Sequence, residues 1–238
     1  MSREATASQQ ALSKVPALTL GFWAIKILAT TLGETGGDAV SMSLDLGYLV
    51  STGIFMALFV IAVAGQIRAK QFHPWLYWAT IIASTTVGTT LADFADRSLG
   101  IGYLGGSTLL ACLVAATLVA WHRSLGSIDV GSVHTPKAEA FYWLTIMFSQ
   151  TLGTALGDWT ADSAGLGYTG AALIFAALLL LIVLAYYFTR VSRTALFWLA
   201  FVLTRPLGAV IGDYLDKPVA AGGLEFSRFT ATGVLLVA

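Results

Sequence analysis

The chain has 238 residues, 57% hydrophobic and only 11% charged, with a mean hydropathy of +0.78. Soluble domains carry about 25% charged residues, so this chain cannot cover an aqueous globular surface with polar groups. Thirteen Lys and Arg offset thirteen Asp and Glu, which leaves no basic excess for nucleic acid, and the single cysteine, Cys112, excludes an intrachain disulfide.

Residues 1–16 read as a polar tail, with Arg3, Glu4 and Lys14 as its charges. The apolar stretch from Ala17 runs into a polar motif without a small-residue cleavage site, so it is expected to be a first span rather than a removed leader. A membrane-spanning helix needs about 20 apolar residues. Candidate spans follow at 17–37, 47–66, 74–92, 101–121, 140–157, 167–189, 195–212 and 222–238. The last is short and lacks a flanking charge. The predicted fold is an all-α membrane protein of about eight transmembrane helices. It has a first membrane half at 17–121, a cytoplasmic linker at 122–138 and a second half at 139–238.

Loop charges set the orientation. Arg3, Lys14, Arg68, Lys70, Arg123, Lys137, Arg190 and Arg193 fall on one side, and only Arg97 and Lys217 on the other. The first side, with the N-terminus, is expected in the cytoplasm. The acids segregate oppositely: apart from Glu4, Asp129 and Glu139, they lie near the outer ends of spans.

One pattern occurs four times: an aromatic, Trp, nine residues, Gly, three residues, Gly or Ala, then Asp. The copies are Phe22-Trp23…Gly33…Gly37-Asp38, Tyr77-Trp78…Gly88…Ala92-Asp93, Tyr142-Trp143…Gly153…Gly157-Asp158 and Phe197-Trp198…Gly208…Gly212-Asp213. Gly-Tyr follows the Asp in three copies, and Gly222-Gly223 in the fourth. Each repeat holds two spans, so all four share one orientation, with pseudo-symmetry about the membrane normal. The chain resembles a family of bacterial integral membrane proteins of unknown function, built from four tandem two-helix repeats with a characteristic tryptophan in each. The resemblance implies the fold and a bacterial plasma membrane location; it implies no activity.

The motif residues divide by chemistry. Trp23, Trp78, Trp143 and Trp198 are expected to anchor at the cytoplasmic interface. Gly33, Gly88, Gly153 and Gly208 are expected to let the odd helices approach closely. Positions three before, one after and five after each motif glycine share a helix face. They are Thr30, Glu34 and Asp38; Thr85, Thr89 and Asp93; Gln150, Thr154 and Asp158; and Arg205, Ala209 and Asp213. The odd helices should therefore form a polar interior, with the even ones facing lipid. Two readings of the four motif Asp stand side by side. One is a ring of carboxylates attracting cations at an outward mouth; the other is helix caps and turns. Capping or solvation is the stronger reading for Asp96, Asp162 and Asp216, and Asp45 reads as a loop residue. Lys26 is expected to snorkel to the interface. Arg205, deep in its span, needs a partner, and Glu34 is the expected one. Glu225 and Arg228 are expected to satisfy each other. His73, His122 and His134 lack ligand spacing.

The leading expectation is a transporter or channel for a cation or small polar solute. The site residues would be Glu34, Asp38, Asp93, Asp158, Asp213, Arg205 and Gln150, with the bilayer and that solute as partners. No cofactor is expected, although a hard divalent cation would suit the oxygen ligands as substrate. An intramembrane enzyme using paired aspartates and a structural membrane protein remain as alternatives, and homo-oligomerisation is left open.

Overall fold

The computed structural model describes residues 13–237; Arg3 and Glu4 of the expected tail, and Ala238 at the end of the last expected span, lie outside them. Eight α-helices and no strand occur among the described residues. They are α1 (Leu20–Asp38), α2 (Tyr48–Arg68), α3 (Pro74–Asp93), α4 (Tyr103–Leu125), α5 (Pro136–Asp158), α6 (Gly167–Phe188), α7 (Arg193–Asp216) and α8 (Arg228–Val237). Of these, α2, α4, α6 and α7 are long and apolar enough to cross a membrane. Hydroxyl caps start three of the helices: Thr19 accepts from Phe22 N–H, Thr135 from Ala138 N–H and Ser192 from Ala195 N–H.

The repeat motif explains how the first three odd helices end. Past Asp38, Asp93 and Asp158 the chain continues into five-residue π-helical turns, Ala39–Ser43, Phe94–Ser98 and Trp159–Ser163. None of the three Asp side chains caps the turn it precedes, so the capping reading does not hold there. The chain then reverses through Gly47, Gly102 and Gly167, at φ of 74°, 77° and 64°. This backbone is strained for any residue with a Cβ, hence the glycine of each Gly-Tyr pair.

The fourth repeat departs from this plan. α7 runs on to Asp216, and Pro218, Gly222 (φ 88°) and Glu225 (φ 57°) hold the following residues in a 3₁₀ turn and loop. The expected span at 222–238 is therefore corrected: helix begins only at Arg228 and covers 10 described residues. That is about 15 Å, against about 30 Å of hydrocarbon.

The odd helices form a closed ring, with α1 against α3, α3 against α5, α5 against α7 and α7 against α1. Each even helix packs on the odd helix of the next repeat: α2 on α3, α4 on α5, α6 on α7, and α8 back on α1. Only 11% of the apolar windows of α2 and of α6 is buried, against 72% for α7. The even helices thus clothe the ring, as the polar stripes predict.

The same cyclic rule governs the contacts. Gly33 lies against Thr85, Gly88 against Gln150, Gly153 against Arg205 and Gly208 against Thr30. One turn on, Gly37 meets Thr89, Gly157 meets Ala209 and Gly212 meets Glu34. The aromatics repeat it, with ring centroids 5.5 Å apart for Phe22–Trp78, 5.6 Å for Tyr77–Trp143, 6.1 Å for Tyr142–Trp198 and 5.8 Å for Phe197–Trp23. The expected interfacial anchoring of the motif tryptophans is corrected accordingly. Trp143 and Trp198 are buried, and Trp23 and Trp78 pack against the same core. Each fills the space beside the preceding repeat's aromatic, where two large rings bury more area than either would at a lipid boundary. Trp75, 83% exposed at the start of α3, is the tryptophan placed for an interface.

A Cβ added at Gly88 would stand 2.8 Å from the Gln150 carbonyl carbon, and backbone cannot yield as a side-chain tip can. Gly88→Ala should therefore lose about 1–3 kcal/mol through overpacking, measured by reversible unfolding in detergent. An exposed control, Gly53→Ala, should not lose stability.

Candidate functional site

Extending the stripe by the same step resolves the ring interior into layers four residues apart. Phe22, Tyr77, Tyr142 and Phe197 form the first, and Lys26, Ile81, Ile146 and Phe201 the second. Thr30, Thr85, Gln150 and Arg205 form the third, Glu34, Thr89, Thr154 and Ala209 the fourth, and Asp38, Asp93, Asp158 and Asp213 the fifth. Every one of these side chains is buried. At 1.5 Å per residue the column is about 24 Å tall. Lys26 apart, it is aromatic and aliphatic below, and it is polar above.

Arg205 ties the middle together. Its Nη2 donates to Glu34 Oε2 at 2.8 Å, Thr89 Oγ1 at 2.6 Å and Thr154 Oγ1 at 2.6 Å, so this fourth-repeat residue reaches all three other repeats. The Glu34 partnership is the one expected from the sequence. Thr89 also donates to Glu34 Oε2 at 3.2 Å. Gln150, in the layer below, is fully buried, yet neither its amide nitrogen nor its oxygen has a partner, and Arg205 Nε–H has none either.

The expected snorkelling of Lys26 is corrected. Its side chain is fully buried and turned inward. Nζ donates to Phe201 O at 3.2 Å and Thr204 Oγ1 at 2.8 Å, and lies 3.8 Å from the Phe201 ring centroid. The stripe period puts Lys26 on the interior face, and packing there overrides the pull of the interface.

The fifth layer is not an open ring of carboxylates. Arg97 bridges Asp93 at 2.8 Å and Asp158 at 3.6 Å. Lys217 bridges Asp213 at 3.0 Å and Asp38 at 2.6 Å. Sequence reasoning used these two bases only as markers of the outer side and missed their role. The signal was present: each stands four residues after its motif Asp, on the same helix face. The equivalent positions in the other repeats hold Met42 and Asp162.

Beside this layer, Arg228 pairs with Asp216 at 3.1 Å and approaches Asp38 at 3.8 Å. The expected Glu225–Arg228 pair is corrected: Glu225 lies in a left-handed loop residue before α8 begins, so helical i,i+3 geometry does not apply. Asp38, Asp213 and Asp216 offer carboxylate oxygens within 4.8 Å of one another, a spacing suited to a hard cation. The Lys217 ammonium is already seated on two of them. Asp45 and Asp162 are exposed loop and turn residues.

The opposite end is sealed. Tyr77 and Tyr142 share a hydroxyl–hydroxyl hydrogen bond of 2.6 Å. Lys14 pairs with buried Glu139 at 2.6 Å and donates to Gln66 O at 3.0 Å, and Val15 and Val133 join the aromatic core.

Removing one partner of a buried ion pair strands the other charge, at about 3–5 kcal/mol. Glu34→Gln and Arg205→Gln should each lose stability on that scale. The double variant should recover a large part of the loss, as read from a double-mutant cycle of unfolding free energies.

The chain's four repeats match a described sequence family. No curated protein and no solved structure matches the chain. The family described as Repeat of Unknown Function (DUF347) matches residues 21–72, 76–127, 141–192 and 196–238, one match for each repeat of the ring, and the chain belongs to that family.

Proposed function

We propose that the protein is a membrane transporter or channel that moves a small polar solute or ion through the interior of the odd-helix ring. The observation that carries this reading is the buried polar column, from Thr30, Thr85, Gln150 and Arg205 to the four motif aspartates, in a helical bundle with an apolar exterior. Ionisable groups buried inside a membrane bundle are costly to keep, and they mark pathways. In this reading α1, α3 and α5 also cross the bilayer, screened from lipid by the even helices. The N-terminus faces the cytoplasm of a bacterial plasma membrane, because the basic loops lie on that side.

Both ends of the column are closed. The aromatic layer and the Lys14–Glu139 strap close one end, and the Arg97 and Lys217 bridges close the other. Such a polar middle between two seals fits an occluded state. The bridges also weigh against an enzyme that uses the motif aspartates as acid and base, since each carboxylate is already engaged by a cation.

The test is flux. Purified protein in proteoliposomes would be challenged with monovalent ions, divalent ions and small neutral solutes, with a pH dye inside. The expected result is solute-dependent flux that falls at least tenfold in Asp38→Asn/Asp158→Asn and in Arg205→Gln, for variants whose helix content is unchanged. Absence of flux for every solute, from folded protein, would overturn the reading.

A further inference from the structure

We propose that the third layer of the column, between Lys26 and Arg205, is a binding site for a small monovalent anion, with the Gln150 amide as its hydrogen-bond partner. As a statement about the transported substrate this rests on the transport reading above; as a statement about binding it stands alone.

The first ground is the unfilled hydrogen bonding. Gln150 is fully buried with both amide atoms unpartnered, and the Nε–H of Arg205, in the same layer, is unpartnered too. A buried amide without partners is costly in an apolar medium. The Thr30 and Thr85 hydroxyls of the same layer have no proton to give Gln150 Oε1, because both donate to main-chain carbonyls: Thr30 to Ile27 O at 2.8 Å and Thr85 to Ile82 O at 2.9 Å.

The second ground is charge. Lys26 and Arg205 meet around the Thr30–Thr204 junction. Lys26 Nζ donates to Thr204 Oγ1 at 2.8 Å, and Arg205 Nη1 to Thr30 O at 3.4 Å. The acid facing this pair is Glu34, and Arg205 takes it through Nη2. The ammonium of Lys26 has only neutral acceptors. The aspartates of the fifth layer stand two layers away, about 12 Å along the helix. With Lys26 protonated, two cations against one carboxylate leave a positive charge in the interior, and that is unfavourable unless it is matched.

The third ground is the kind and size of guest. The Gln150 NH₂ and Arg205 Nε–H are unpartnered donors and Lys26 and Arg205 are both basic, against neutral acceptors only, Gln150 Oε1 and the Thr30 and Thr85 oxygens. That balance fits an anion better than a cation. Gly88 lies against the Gln150 backbone and Gly153 against the Arg205 side chain, so the helices stand close and the guest proposed is a small one, a halide or a triatomic oxyanion. Ile81, Ile146 and Phe201 give it an apolar floor, which excludes competing water and strengthens the interaction.

Thermal unfolding of the detergent-solubilised full chain tests this, with sodium chloride or sodium nitrite replacing sodium gluconate at constant ionic strength. The expected result is a saturable rise in Tm for the wild type with the small anions. Lys26→Met and Gln150→Leu should abolish it. Gln150→Leu should be at least as stable as wild type in gluconate, because its orphaned amide is gone, so a lost response in that variant is not misfolding. Absence of a saturable shift in the wild type would overturn the proposal and leave the Gln150 amide to internal water. A shift of equal size in both variants would also overturn it, as a general salt effect. Chloride flux in the proteoliposomes, lost in Lys26→Met, would extend the site to transport. A Tm response without flux for any solute would keep the anion site and remove the transport reading.

Discussion

Close approach of each odd helix to the next is the constraint on which the rest of the structure depends. In a bilayer no hydrophobic force draws one apolar helix to another, so association rests on van der Waals fit and polar contacts. Here the fit is a motif glycine against the backbone or β-carbon of the next repeat's stripe: Gly33 on Thr85, Gly88 on Gln150, Gly153 on Arg205, Gly208 on Thr30. Because the rule runs from each repeat to the next, and from the fourth to the first, the ring closes. Closure turns four modest polar stripes into one interior column.

The column in turn decides which charges the protein can keep. A single Arg at the core of a bundle is a liability unless several acceptors converge on it. The ring supplies acceptors from three other helices, Glu34, Thr89 and Thr154, with its own helix providing only the guanidinium. The fifth layer solves a different problem. Four carboxylates at one level repel, and two bases, each shared between neighbouring repeats, offset that repulsion. Symmetry is thus four-fold in packing and two-fold in charge.

Much of this was legible in the sequence. The repeat spacing gave the ring's members, the stripe gave their inward face, and the isolated depth of Arg205 pointed to Glu34. The rest was hidden for identifiable reasons. By residue type Lys26 and the motif tryptophans look interfacial, although the same four-residue step that marks Thr30 and Asp38 places Phe22 and Lys26 on the interior face. In the sequence Arg97 and Lys217 look like loop charges, because the π-helical turn after Asp93 and the extension of α7 to Asp216 do not show in hydropathy. Helix α8 was overestimated because Leu224 and Phe226 look like part of a span, while the backbone at Gly222 and Glu225 forbids helix there. The unpartnered state of Gln150 has no sequence signal at all; it emerges only when the neighbouring threonines spend their hydroxyls on their own helices.

The two ionic bridges have a mechanical consequence. Arg97 joins the second repeat to the third, and Lys217 joins the fourth to the first. Among the described residues no salt bridge at that level joins the first to the second or the third to the fourth. Those two seams fall inside the two halves of the sequence, not between them. If that end parts along the two unbridged seams, the moving bodies are α2 to α5 and α6 to α8 with α1, since each even helix stays with the odd helix it packs on. The segment at 122–138 then lies within one body. It works as a strut that travels with its neighbours, and the flexing falls to the connections after α1 and α5, because α2 packs on α3 and α6 on α7.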